Sequence, residues 1–387
     1  MSNRIALGAS SAALLTVLLS GCQRLESHPY EPQETATFVS VEKVAWLLSS
    51  IPLESGHLQE VHDAACASVA NGYDEEYRMR DLFDAPGTGV GAASPTKADT
   101  YRHPLRDALR EAFLSTKADG GEDPAWLDSL ALSDVQIYWP YSESWDGRQA
   151  PVITYDPGDG AFQNEGFALQ EDGTVKKVLV DEQMATERPV WVINRNSDAE
   201  YKTLELRRRE DPSWGQGGGD ILVKSPSEDD DFKTLVLRSF CSHRQYDSWF
   251  AGASEFFVKL GAIEDFVAST EAEMRLYDPS ITDFMIVVRR KQVGKELPFN
   301  AILVSEWSDQ LSSCALMMVE DDGGTRTTWK CSAMVKIESK SYGFELEIPL
   351  YSRDDIVWRG SLTRNYIERN SGKSVRFGDV DLVLELI

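Results

Sequence analysis

The chain has 387 residues, 42% of them hydrophobic, which suits two or three cored domains and excludes a disordered or fibrous chain. Its 63 acidic residues outnumber 39 lysines and arginines, for a formal charge of −24. That balance repels phosphate backbones, which argues against nucleic acid as a partner, and it leaves solubility, divalent cations or cationic partners as its use.

In chain order, Arg4 precedes a mostly apolar or small run from Ile5, which closes in Leu19-Ser20-Gly21-Cys22. The run is shorter than the roughly 20 apolar residues a membrane span needs, and it has the layout of a removable signal peptide. The Leu-Ser-Gly-Cys ending resembles the lipobox of bacterial lipoproteins. The resemblance implies cleavage before Cys22, a thioether-linked diacylglycerol on its sulfur and a further acyl chain such as palmitate on the new amino terminus. Two or more chains suffice for stable anchoring. Gln23, in place of an aspartate, implies by the same resemblance sorting to the outer membrane of the cell envelope. Residues 1–21 therefore read as signal peptide, and 22–37, polar with Pro29 and Pro32, as a tether.

Residues 38–130 read as a helical region. Phe38–Ser50 and Tyr101–Leu114 carry apolar residues at helical spacing, and His57–Ala70 repeats Leu58, Val61, Ala65 and Val69 every three or four positions. Asp74–Phe83 is expected as a further short helix. Gly87–Gly91 lacks the Lys-Ser/Thr of a phosphate loop and the preceding strand of a dinucleotide fingerprint. His57 and His62 are five residues apart, so a helix puts them on different faces, and no metal is assigned to them.

Residues 131–230 read as a central β-rich unit. Its expected strands are Val135–Trp139, Val152–Tyr155, Gly166–Leu169, Val175–Val180, Pro189–Asn194, Thr203–Leu206 and Asp220–Val223. Gly215–Gly219 and Ser225–Asp231 look like linker, with a boundary near 225–245. Residues 240–387 hold further strands, among them Glu255–Leu260, Asp283–Arg290, Phe299–Trp307, Phe344–Leu350, Ile356–Leu362 and Val380–Leu386. The fold class is α+β, with an N-terminal helical layer, a central antiparallel β unit and a C-terminal β-sandwich.

Beyond Cys22, four cysteines remain: Cys66, Cys241, Cys314 and Cys331. Asp322-Gly323 between two apolar runs is a type I′ hairpin signal. Counting outward from that turn sets Cys314 opposite Cys331 at a non-hydrogen-bonded site, where Cα atoms lie about 4.5 Å apart. A cross-strand disulfide is the expectation. Cys66 and Cys241 are left as a default pair.

Candidate chemistry is sparse. Tyr138, Trp139, Tyr141 and Trp145, with Glu143 and Asp146, have the composition of a carbohydrate platform, flat rings for sugar faces and carboxylates for hydroxyls. The alternative is core aromatics running into a turn. Glu143 and Asp146 could also form a glycosidase pair, given carboxylates about 5–10 Å apart across a bond. Cys241 and His243 could share a strand face as a thiol–imidazole dyad. Calcium ligands could come from Asp156 with Asp159, Asp229–Asp231, Asp321 with Asp322, or Asp354 with Asp355, though none forms the D-x-D-x-D-G loop. No other cofactor is expected. Val180–Asn194, with the Ile137–Gly147 stretch before it, resembles exported bacterial proteins without an assigned activity.

These readings converge on a non-catalytic binding or scaffolding lipoprotein of the cell envelope, held to the membrane by its lipid, with an envelope protein or glycan as partner. The alternative is an envelope hydrolase of glycan or peptide. It requires three or more of Glu143, Asp146, Asp156, Asp159, Asp181 and Glu182 to converge with a histidine.

Overall fold

A computed structural model describes residues 39–83, 104–116, 125–196, 201–211 and 232–387. Cys22, the tether, Gly87–Gly91, Gly215–Gly219, Asp220–Val223 and Asp229–Asp231 lie outside the described residues. The chain is mixed α+β, with several sheets whose strands pair mainly antiparallel.

The first half opens with α1 (Val41–Ser49), whose start is capped by the Ser40 side chain accepting from the Lys43 amide, and α2 (Ser55–Ala70). The expected helix at Asp74–Phe83 divides into strand β1 (Glu76–Arg78) and one turn of helix, α3 (Met79–Leu82). Then come α4 (Pro104–Thr116), α5 (Ala125–Ala131), β2 (Val135–Tyr138), β3 (Val152–Tyr155), β4 (Gln163–Leu169), β5 (Val175–Asp181), α6 (Glu182–Glu187) and β6 (Val190–Arg195). The six strands order as β1-β2-β6-β3-β4-β5.

This unit is not purely antiparallel, because β3 and β6 run parallel, Ile153 opposite Trp191. The β4–β5 hairpin and α6 are the crossover that parallel pairing requires. The helices and sheet share one core, in which Leu48, Val61, Leu105 and Phe113 meet Trp139, Trp191 and Ile193. Each such side chain contributes on the order of 1.5–3 kcal/mol by leaving water. The strand expected at Thr203–Leu206 is instead the start of α7 (Leu204–Glu210), where the Thr203 hydroxyl accepts from the Leu206 amide at 3.1 Å. A four-residue window cannot separate strand from helix by period, and the N-cap threonine was the stronger signal.

In the second half, β7 (Lys233–Ser242), β10 (Leu297–Trp307), β15 (Lys373–Phe377) and β16 (Val380–Leu386) form a sheet ordered β10-β7-β16-β15. Another sheet is built on β8 (Ser254–Ala262), β9 (Ser280–Val288), β11 (Leu311–Glu320), β12 (Arg326–Ile337), β13 (Lys340–Tyr351) and β14 (Asp355–Thr363). Phe240 from the first and Phe256, Met317 and Leu362 from the second belong to one core.

The expected hairpin register does not form. β11 pairs with β12 only through Leu311–Val335 and Ser313–Met334. Beyond that point β8 takes the same edge from Ala315 on, while β14 runs along the opposite edge, where Cys314 lies opposite Leu362. Cys331 lies opposite Leu346 on β13. Cys66, Cys241, Cys314 and Cys331 are free thiols. The turn rule ranked only local pairing, and β8, from earlier in the chain, displaced it.

Candidate functional site

Of the four aromatics expected as a platform, two are in the core and two are half-buried. Tyr138 and Trp139 are each 1% exposed and belong to the core. Trp145 is half-buried, 5.3 Å from Trp139 and 5.1 Å from His62 between ring centres, with its indole N–H donated to the Gln149 carbonyl. Tyr141 is half-buried, with its hydroxyl donated to Glu182 at 3.0 Å and its amide directed at Glu75. It adopts a left-handed backbone, φ 61°, which lets the following 3-10 turn, Ser142–Ser144, set Glu143 against Lys291. Asp146 closes a local turn by accepting the Arg148 and Gln149 amides.

The carboxylates needed for a hydrolase are dispersed in the same manner. Asp181 caps α6 by accepting the Met184 amide, and Asp159 accepts the Ala161 amide. Glu182 serves Tyr141, and Glu143 serves Lys291. Asp156 alone of the six lines the cavity described below. The remaining dyads are equally occupied. His57 Nδ1 accepts the Glu54 amide at the start of α2, and His243 faces Asp381 at 2.8 Å. His62 lies 3.8 Å from the Cys66 sulfur, but burial and then Asp63, Glu75 and Glu143 push that thiol up, away from the thiolate a nucleophile needs.

The notable concavity is a cavity of about 300 Å³ between the first sheet and the loop joining β7 to β8. Asp74 and Glu76 come from β1 and its approach, Gln136 from β2, and Asn194, Arg195 and Asn196 from the end of β6. Asp156 follows β3, so the parallel pair β3–β6 presents both carboxyl ends here. Asp247, Ala251 and Glu255 close it from the β7–β8 side. Five carboxylates thus line it against a single arginine, whose guanidinium donates to the Val39 carbonyl and pairs with Asp134.

The β7–β8 loop is held on both flanks. The Asn194 amide donates to the Phe250 and Ala251 carbonyls at 3.0 and 2.5 Å, and Asp74 Oδ2 accepts the Ala253 amide at 2.8 Å. Gly252 has φ 133°, and a Cβ there would sit 3.0 Å from Asp74, so glycine permits the close approach. From the other flank Arg290 donates to the Asp247 and Gly252 carbonyls.

Several polar atoms at this place have no hydrogen-bond partner: Asp74 Oδ1, Asn194 Oδ1, Asp247 Oδ2 and both oxygens of Glu320. Glu320 ends β11 and is fully buried, opposite Phe256 on β8 and Asp355 on β14. Asp247, Glu255 and Glu320 each offer an oxygen within 4.8 Å of the others. The Ser254 hydroxyl donates to Gln245 and accepts the Tyr246 amide, and it eases the rise of Asp247 and Glu320 only in part. Burial drives the Asp247 and Glu320 carboxyls upward, and the neighbouring carboxylate pushes Glu320 further. Burial likewise raises Asp74 and Asp156. Arg290 opposes the rise at Asp247 and, together with Arg289, at Asp74, without cancelling it.

The sequence reading named Asp156 here but missed Asp74, Asn194, Asp247, Glu255 and Glu320. One sign was available for Glu320, an acid closing the otherwise apolar Cys314–Val319 run. The expected calcium pairs behave as turn residues: Asp321 accepts the Gly323 amide and Asp354 the Tyr351 amide. Among the described residues no helix is long and apolar enough to cross a membrane. No family model, curated protein or solved structure matches the chain.

Proposed function

We propose that the protein is a non-catalytic binding lipoprotein of the bacterial cell envelope, held by a lipid on Cys22, and that its body receives a cationic group in the acidic cavity. The observation that carries the reading is the lining itself, with Asp74, Glu76, Asp156, Asp247 and Glu255 against Arg195 in about 300 Å³. That volume accommodates an ammonium or guanidinium head on a short stem. A cation there gains from the field of the whole chain, whose charge is −24. The two later sheets over a common core are read as the faces of a β-sandwich, with the helices as a layer on the first sheet. The group would be presented by an envelope protein or an amino-bearing glycan.

Calorimetric titration of the full-length protein in detergent with arginine amide and with putrescine tests the cavity. Binding that weakens as salt rises and is lost in Asp74→Asn supports the reading. Absence of heat for both amines at millimolar concentration would overturn it. For the anchor, labelling with a fatty-acid probe should mark the wild type and leave Cys22→Ala unmarked. An unlabelled wild type removes that half of the proposal.

A further inference from the structure

We infer that Asp247, Glu255 and Glu320 form a binding site for a hard divalent cation, with calcium as its best fit. The three carboxylates come from separate places in the fold: the β7–β8 loop, the start of β8 and the end of β11. Their nearest oxygens lie within 4.8 Å of one another. Two oxygens on one calcium ion are at most twice the ~2.4 Å bond apart, so this spacing suits a common ion. Magnesium, with bonds of about 2.1 Å, would require the group to contract. An all-oxygen donor set selects hard cations over zinc or copper.

Acid clusters are common on protein surfaces, but this one is not superficial. Glu320 is fully buried, and neither of its oxygens has a partner. Asp247 Oδ2 is also buried and unpartnered. Outside the triad, Asp74, 4% exposed, and Asn194, 1% exposed, line the adjoining cavity, each with a side-chain oxygen lacking a partner. Unpaired buried acceptors are costly, and a cation satisfies several at once. Asp321 adds a backbone tie, its amide donating to the Glu255 carbonyl, which fixes the β11 end against β8 at the site.

The ion would have a structural consequence. Asp247 and Glu255 also line the cavity, and the loop carrying Asp247 contacts Asp74 and Asn194 through residues 250–253. A cation on the triad therefore sets the shape and charge of one cavity wall. It shares Asp247 and Glu255 with the amine reading, but Glu320 belongs to the triad alone and Asp74 to the cavity alone.

The test is titration of EDTA-stripped full-length protein with calcium chloride alone, by calorimetry and by thermal melting. One site with Kd below about 1 mM and a rise in Tm are expected. Asp247→Asn and Glu320→Gln should each weaken binding by about tenfold or more, while Asp74→Asn should retain it. Folding of each variant is checked by its melt in EDTA, where Glu320→Gln should be at least as stable as wild type. Wild type without calcium binding up to 1 mM, or both triad variants binding as tightly as wild type, would overturn the inference. Loss of amine binding with calcium binding intact would strike the cavity reading alone.

Discussion

Buried carboxylates occur in both halves of the molecule, and their surroundings differ. In the helix-backed sheet, Glu60 on α2 is 3% exposed, yet it accepts the Tyr77 hydroxyl at 3.0 Å and the Leu105 amide at 2.9 Å. Glu75 receives the Tyr141 amide and the Ser142 hydroxyl, and Glu76 receives the Asn196 side-chain amide. At the end of β11, Glu320 is just as buried and receives none of these. Burial alone therefore says little about purpose. A satisfied acid is a structural tie, and an unsatisfied one calls for a partner, which at Glu320 we propose is a cation.

The largest expected effect comes from breaking a satisfied tie. Glu60→Ala would strand the Leu105 amide at the start of α4 and the Tyr77 hydroxyl, and would open a void. A loss of about 2–4 kcal/mol is expected in chemical denaturation. A loss below 0.5 kcal/mol would erase the contrast between the two halves. Glu320→Gln should move the other way. In EDTA at pH 8 it removes a buried carboxyl crowded by Asp247, so stability should rise by about 1 kcal/mol. A fall of similar size would mean that Glu320 is held by contacts like those of Glu60.

Glu75 sharpens the comparison through pH. Burial, then its hydrogen bond with Glu143, pushes its pKa from 4.5 up to about 9. The native state thus keeps a proton that the unfolded state has lost over that interval, so this contribution to stability fades as pH rises from about 4.5 towards 9. Glu75→Gln should reduce the fall in Tm between pH 5 and pH 9 by about 2 °C or more. An unchanged slope in melting curves would show that Glu75 is ionised in the native state. The smallest effect is a surface control. Asp181→Ala removes the α6 cap and should cost about 1 kcal/mol by the same denaturation assay, with amine and calcium binding untouched.

What the sequence made legible follows from range. Periodicity located α2, α4, β2 and β6, because each is long or regular enough to carry its own signal. β7 was missed beside the acidic run that precedes it, although Thr234–Phe240 is largely apolar and proves to be an interior strand. The Cys314–Cys331 register failed because β8, more than fifty positions earlier in the chain, takes that edge of β11. The cavity was almost invisible for the same reason. Asp74, Asn194 and Asp247 meet only after β1, β6 and the β7–β8 loop have packed, and no local pattern records that meeting.

The Arg195 guanidinium grips the Val39 carbonyl, at the first described residue of the body. Arg195 closes β6, which lies in the interior of its sheet, between β2 and β3. A mechanical load entering through the amino end is thereby delivered to a strand braced on both sides, and α1 cannot peel away until that grip yields. Pulled from this end, the first resistance should come from that grip together with the buried side chains of α1.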